Sequence, residues 1–179
     1  MKKYVGIALL SAFMACTNSG QKEPGSADSS VKAGRPAASA TEVEFADPKV
    51  EKIYRSYIIL KNALVAANPK SVQTSSLELS KHLREFEGCE NTALITDKMA
   101  GTEDLKLQRK EFTALSSDVI ALFKHADITK GSVFIQHCPM ANNGEGGDWL
   151  SGEKRIRNPY YGDEMLECGA ILQELKAKK

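Results

Sequence analysis

The chain has 179 residues, of which 26% are charged and 42% hydrophobic, with a net charge of +1 and four cysteines. That near-neutral balance excludes a basic nucleic-acid binder, and the length suffices for one domain with a real core.

The chain opens with MKKYVGIALLSAFMACTNSG: two lysines, an apolar run from Tyr4 to Ala15, then Cys16. A basic start, a short apolar segment and a small residue before the cut make a secretory signal. The run is too short for a mature transmembrane helix. Ala15 directly before Cys16 resembles a bacterial lipobox, although Phe13 stands where leucine is usual. Residues 1–16 are therefore expected to be a lipoprotein signal peptide. A lipidated Cys16 would anchor the protein to a membrane of the cell envelope, facing the periplasm. Residues 17–46 are rich in Ser, Ala and Gly with no apolar period, and are expected to be a flexible linker. Its reach is on the order of 30 Å. That leaves 47–179 as the folded domain.

Asp47-Pro48 is a helix start, an N-cap acceptor followed by proline in the first turn. Ile53, Tyr57, Leu60 and Leu64 then form one apolar stripe, on a helix ending near Asn68-Pro69. A second helix is expected from about Pro69 to Glu87, carrying Val72, Leu79, Leu83 and Phe86 and broken by Gly88. A shorter one covers 91–100. Thr102 with Glu103 opens a third long helix, whose stripe is Leu105, Phe112, Leu115, Val119 and Leu122. It stops near Asp127. Ser132 to Gln136 is short, β-branched and extended in character. Residues 141–162 hold Gly144, Gly146, Gly147, Gly152 and Gly162. A segment this long without regular structure is functional or disordered, and Trp149 with the run Asn158-Pro159-Tyr160-Tyr161-Gly162 argues that it packs. A helix from about Asp163 to Lys176 closes the chain. The expected fold is all-α: an up-and-down bundle of about four helices, with an irregular glycine-rich segment before the last.

The chemistry concentrates in two short stretches. His137, Cys138 and Met140 lie together around Pro139, which stiffens the turn. Met165 and Cys168 are three apart, one face of the expected closing helix, with Leu172 and Leu175 continuing that face inward. Thiolate and thioether together select soft ions, Cu(I) first, whereas zinc prefers Cys and His without methionine. Met165 and Cys168 are equally good core residues. Exported cysteines also tend to pair. A Cys138–Cys168 disulfide would stabilise the fold by roughly 3.5 kcal/mol in the chain-entropy model and leave Cys89 as the odd thiol. His82 and His125 read as surface residues, and the cluster Lys154, Arg155 and Arg157 as a solvated loop. No Ser/His/Asp or Cys/His motif has a local signature, so an enzyme is not expected.

The segment HCPMANNGEGGDWLSGEKRIRNPYYGDEMLECG, with YIILKNALVAAN and RKEFTALSSDVIAL before it, resembles the domain of unknown function 3347 family over roughly residues 49–175. That family occurs in small exported lipoproteins and at the C-terminus of periplasmic adaptor subunits of heavy-metal efflux pumps. The resemblance implies a small helical periplasmic domain linked to copper or silver handling. It maps the ligands onto Cys138, Met140, Met165 and Cys168, with His137 an optional neighbour. Trp149, Tyr160 and Tyr161 would shield the ion, and Asn158, Pro159 and Gly162 would set the turns of the loop. The expected function is a periplasmic soft-metal binding module that buffers Cu(I) or passes it to an efflux-pump adaptor or other metal-handling protein. The alternative is a disulfide-stapled structural or interaction lipoprotein without metal.

Overall fold

A computed structural model describes residues 42–177. The expected signal peptide, Cys16 and the linker up to residue 41 lie outside the described residues. In chain order the elements are β1 (Glu44–Phe45), α1 (Pro48–Val65), α2 (Pro69–Arg84), α3 (Glu90–Ala100), α4 (Leu105–Lys124), β2 (Ile128–Lys130), β3 (Ser132–Cys138), a short turn α5 (Ala141–Gly144), β4 (Gly147–Ser151), a 3-10 turn (Gly162–Glu164) and β5 (Ala170–Lys176).

The four helices follow from local chemistry. Asp47 caps α1 by accepting from the Lys49 N–H at 2.7 Å, and Asn68 caps α2 by accepting from the Ser71 N–H at 3.0 Å. Each cap precedes a proline whose missing N–H costs nothing in the first turn. Asp104 caps α4, accepting from the N–H groups of Lys106 and Leu107. Thr102 sits outside the helix and accepts from the Asp104 N–H instead. Ile53, Tyr57, Leu60 and Leu64 of α1 are fully buried, as are Val72, Leu79 and Leu83 of α2 and Phe112 and Leu115 of α4. The 3.6-residue stripes thus build the core between neighbouring helices. α2 packs on α1 and α3, and α3 on α4.

The fold is not all-α. β1 and β2 pair antiparallel, and β4, β3 and β5 form a second antiparallel sheet in that order. The last five residues assigned to the linker begin this structure. Val43 and Phe45 are buried, and the Phe45 ring packs against Tyr54 and Phe123 at centroid distances of 5.2 and 5.3 Å.

The expected closing helix over 163–176 is replaced by the 3-10 turn, a loop and β5. Leu172, counted on the inward face, is 60% exposed. Two causes combine. Gly169 takes φ +144°, a conformation that a helix does not use. In addition, β3 is buried and central, so its backbone N–H and C=O groups need partners on both sides, and residues 170–176 supply one of them. On the far side β4 meets the helices: the Tyr57 hydroxyl accepts from the Leu150 N–H at 3.2 Å and bonds Ser116 Oγ at 2.6 Å.

Lys61 in α1 is only 4% exposed. Burial lowers its pKa from 10.5 to about 8; Glu153 opposes the shift and Arg157 adds to it. Below pH 8 both folded and unfolded chains carry the charge, and the folded chain bears the full desolvation cost. As pH rises from about 8 to 10.5 the folded chain releases its proton first and that cost fades. Lys61→Met is therefore expected to raise stability at pH 7 by about 1–3 kcal/mol. Urea unfolding at pH 7 and pH 9.5 checks it: the gain over wild type must shrink at the higher pH.

Candidate functional site

Strand β3 ends at Cys138, which is fully buried opposite Gly147 of β4. His137 pairs with Ala170 across to β5, so the chain just before β5, Cys168-Gly169, passes the end of β3. This brings Cys138 and Cys168 side by side. The Cys138 thiol is the largest cause of a raised pKa at Cys168, followed by burial, while the main-chain N–H of Met140 bonds the Cys168 sulfur and pulls the other way. All three cysteines among the described residues are free thiols.

The other expected ligands stand differently. The Met140 side chain is 53% exposed at the rim. Met165 ends the 3-10 turn, half-buried, and its carbonyl accepts from the Cys168 N–H at 3.0 Å. The structure therefore ties the main chains of both methionines to Cys168. His137 does not join them. Side chains alternate along a strand, so it points to the opposite sheet face from Cys138, where Nδ1 meets the Asp148 carboxylate at 2.6 Å. Among the described residues, no three or more His, Cys, Asp or Glu side chains converge in a metal-binding group. The donor set at the pair is two thiols with methionines nearby, and that set fits a soft ion. Cys89 lies apart, half-buried just before α3, its pKa raised by burial first and then by Glu90 and Asp118.

The NPYYG run holds the two halves together. Asn158 is fully buried: its Nδ2 donates to the Cys168 carbonyl at 3.1 Å and its Oδ1 accepts from the Tyr160 N–H at 2.8 Å. The Tyr161 hydroxyl donates to the Met140 carbonyl at 2.5 Å. One short loop thus grips main-chain carbonyls from both sides of the thiol pair. Arg109 of α4 fixes that loop to the helices by donating to the Pro159 carbonyl at 3.1 Å. At Gly162, with φ +58°, a Cβ would stand 2.9 Å from the Val65 carbonyl oxygen. Trp149 and Tyr160 lie underneath, edge to face at 6.1 Å, and the Tyr160 hydroxyl donates to the Asp148 carbonyl at 3.0 Å.

Four contributors have no signal in the sequence that marks their role: Gln136, Asp148, Arg109 and Tyr57 act through partners distant in sequence. Gly169 did carry one, a glycine inside an expected helix. A Cβ there would lie 2.6 Å from the His137 carbonyl oxygen and 3.0 Å from the Trp149 ring. Gly169→Ala is expected to cost roughly 2–4 kcal/mol, combining backbone strain with that clash. It should also push Cys168 away from Cys138. Denaturant unfolding measures the first, and the yield of Cys138–Cys168 crosslink under mild oxidation the second.

Residues 53–131 match the family described as "Protein of unknown function (DUF3347)". The matched span runs from within α1 to the end of β2. It stops before β3, so the thiol pair and the NPYYG loop lie beyond it. No curated protein and no solved structure matches.

Proposed function

We propose, for a chain that belongs to the DUF3347 family through residues 53–131, that it binds a soft metal ion, Cu(I), between Cys138 and Cys168. The observation that carries this reading is the thiol pair itself, with one sulfur buried at a strand end and the other beside it bonded by the Met140 N–H. Two deprotonated thiols suit Cu(I), and a thioether from Met140 or Met165 completes a soft donor set. The exposed Met140 side chain gives a route by which a thioether on another protein exchanges with it. The same proposal includes the N-terminal lipid anchor at Cys16 and a place in the periplasm-facing envelope. There the domain would buffer the ion or hand it to an efflux system. Anaerobic titration with Cu(I) against a competing chelator tests it, and stoichiometric uptake by the reduced protein is expected.

A second reading rests on the same juxtaposition. Two cysteines brought together across β3 and β5 are placed for a disulfide, which would staple the glycine-rich segment without metal. Mass spectrometry of protein taken from the periplasm separates the two. Free thiols with metal favour the first reading, and a fully oxidised pair with no metal uptake favours the second.

A further inference from the structure

Away from the sulfurs, α1 and α2 meet in an open groove of about 540 Å³. At its floor Ser56 Oγ lies 2.7 Å from His82 Nδ1, and His82 Nε2 lies 3.2 Å from the Glu78 carboxylate. His82, expected at the surface, has a side chain that is only 15% exposed. The negative charge of that carboxylate favours the tautomer with the ring proton on Nε2. Nδ1 of the neutral ring is then a lone pair that accepts from the Ser56 hydroxyl. Nucleophile, base and orienting acid are thus in sequence, the arrangement that activates a weak hydroxyl. It has no local signature because the serine comes from one helix and the other two residues from the next.

We propose that Ser56 Oγ accepts an acyl group from a small activated ester seated in this groove, with His82 as base and Glu78 as its positioning residue. Oγ attacks the carbonyl carbon as its proton passes to Nδ1. The bond to the leaving oxygen then breaks, that oxygen takes the proton from His82, and acyl-Ser56 remains. Ile59 gives the groove an apolar lining residue and Lys70 a cationic one. The Ser56 N–H is spent inside α1, so no main-chain oxyanion hole forms at the serine. The expected behaviour is therefore a single acylation with slow release rather than rapid turnover.

Incubation with p-nitrophenyl acetate, followed by peptide mapping, tests this independently of any metal. One acetyl group on Ser56 is expected, absent from Ser56→Ala. His82→Gln should slow labelling by about a hundredfold or more. Glu78→Gln changes an exposed carboxylate, so it should slow labelling about tenfold while leaving the unfolding midpoint unchanged. Acetyl groups spread over lysines, or unchanged rates in folded His82→Gln and Glu78→Gln, would overturn the proposal.

Discussion

Trp149→Ala is expected to remove about 4 kcal/mol of folding stability. The indole is fully buried, and its Nε1–H donates to Gln136 Oε1 at 2.8 Å. Truncation leaves a cavity under the glycine-rich segment and deprives a buried amide oxygen of its donor, a loss of about 1–3 kcal/mol on its own. Gln136 Nε2 in turn donates to the Glu153 carbonyl at 2.8 Å, so the loop over the strand loosens too. Because Trp149 is the single tryptophan, unfolding must be followed by far-UV circular dichroism. Trp149→Phe keeps the apolar bulk and loses only the bond, and should fall about midway. A cost below about 1 kcal/mol for the alanine variant would mean that the ring is a cover and not a support.

The second large effect concerns the proposed ion. Cys138→Ser with Cys168→Ser is expected to weaken Cu(I) binding by several orders of magnitude. A four-ligand site of about 10–16 kcal/mol implies about 3 kcal/mol per ligand, or roughly a hundredfold for each thiol. Met140→Leu and Met165→Leu, tested singly, identify which thioether participates, and the participant should show a loss of about tenfold or more. Unchanged affinity in the double cysteine variant would place the ion elsewhere. The pH dependence has a definite sign. Both thiols must release protons on binding, and the Cys168 pKa is raised, first by the Cys138 thiol beside it. Protons therefore compete further up the pH scale than at an isolated cysteine, and affinity should climb from pH 6 to pH 8.

The same acid–base reasoning bears on the disulfide alternative. The thiolate is the attacking form, so the raised Cys168 thiol slows exchange at neutral pH. A reduced pair would therefore persist longer than two unperturbed cysteines. Burial of Cys138 acts in the same direction by limiting access.

Legibility in the sequence followed the range of the interactions. Helices α1, α2 and α4 were readable because caps, prolines and apolar stripes act within four residues, while α3 follows Cys89 with no side-chain cap bond. The candidate soft ligands stood out as CPM and MLEC because those residue types are rare and close together. The split between two elements was also visible. What local pattern could not reveal was how the second half reaches the first. Met165, Cys168, Leu172 and Leu175 satisfy a helical period, and that spacing suggested one inward face. In the fold, β3 is a buried strand whose unsatisfied backbone groups outweigh this weak periodicity, and 170–176 extends to pair with it. His137, expected as an optional neighbour of the sulfurs, is sent by the strand's alternation to Asp148 instead.

Composition and short-range pattern thus determined the helical half, the candidate thiols and thioethers, and the packed character of the NPYYG loop. Tertiary structure decided that the last segment is a strand, and that Cys138 and Cys168 are neighbours. It also decided that Asn158 and Tyr161 hold their surroundings, and that Ser56, Glu78 and His82 meet across two helices. The physical reason is common to all of these. Each depends on satisfying backbone or buried polar groups with partners far along the chain, and such partners become definite only once the core has brought them together.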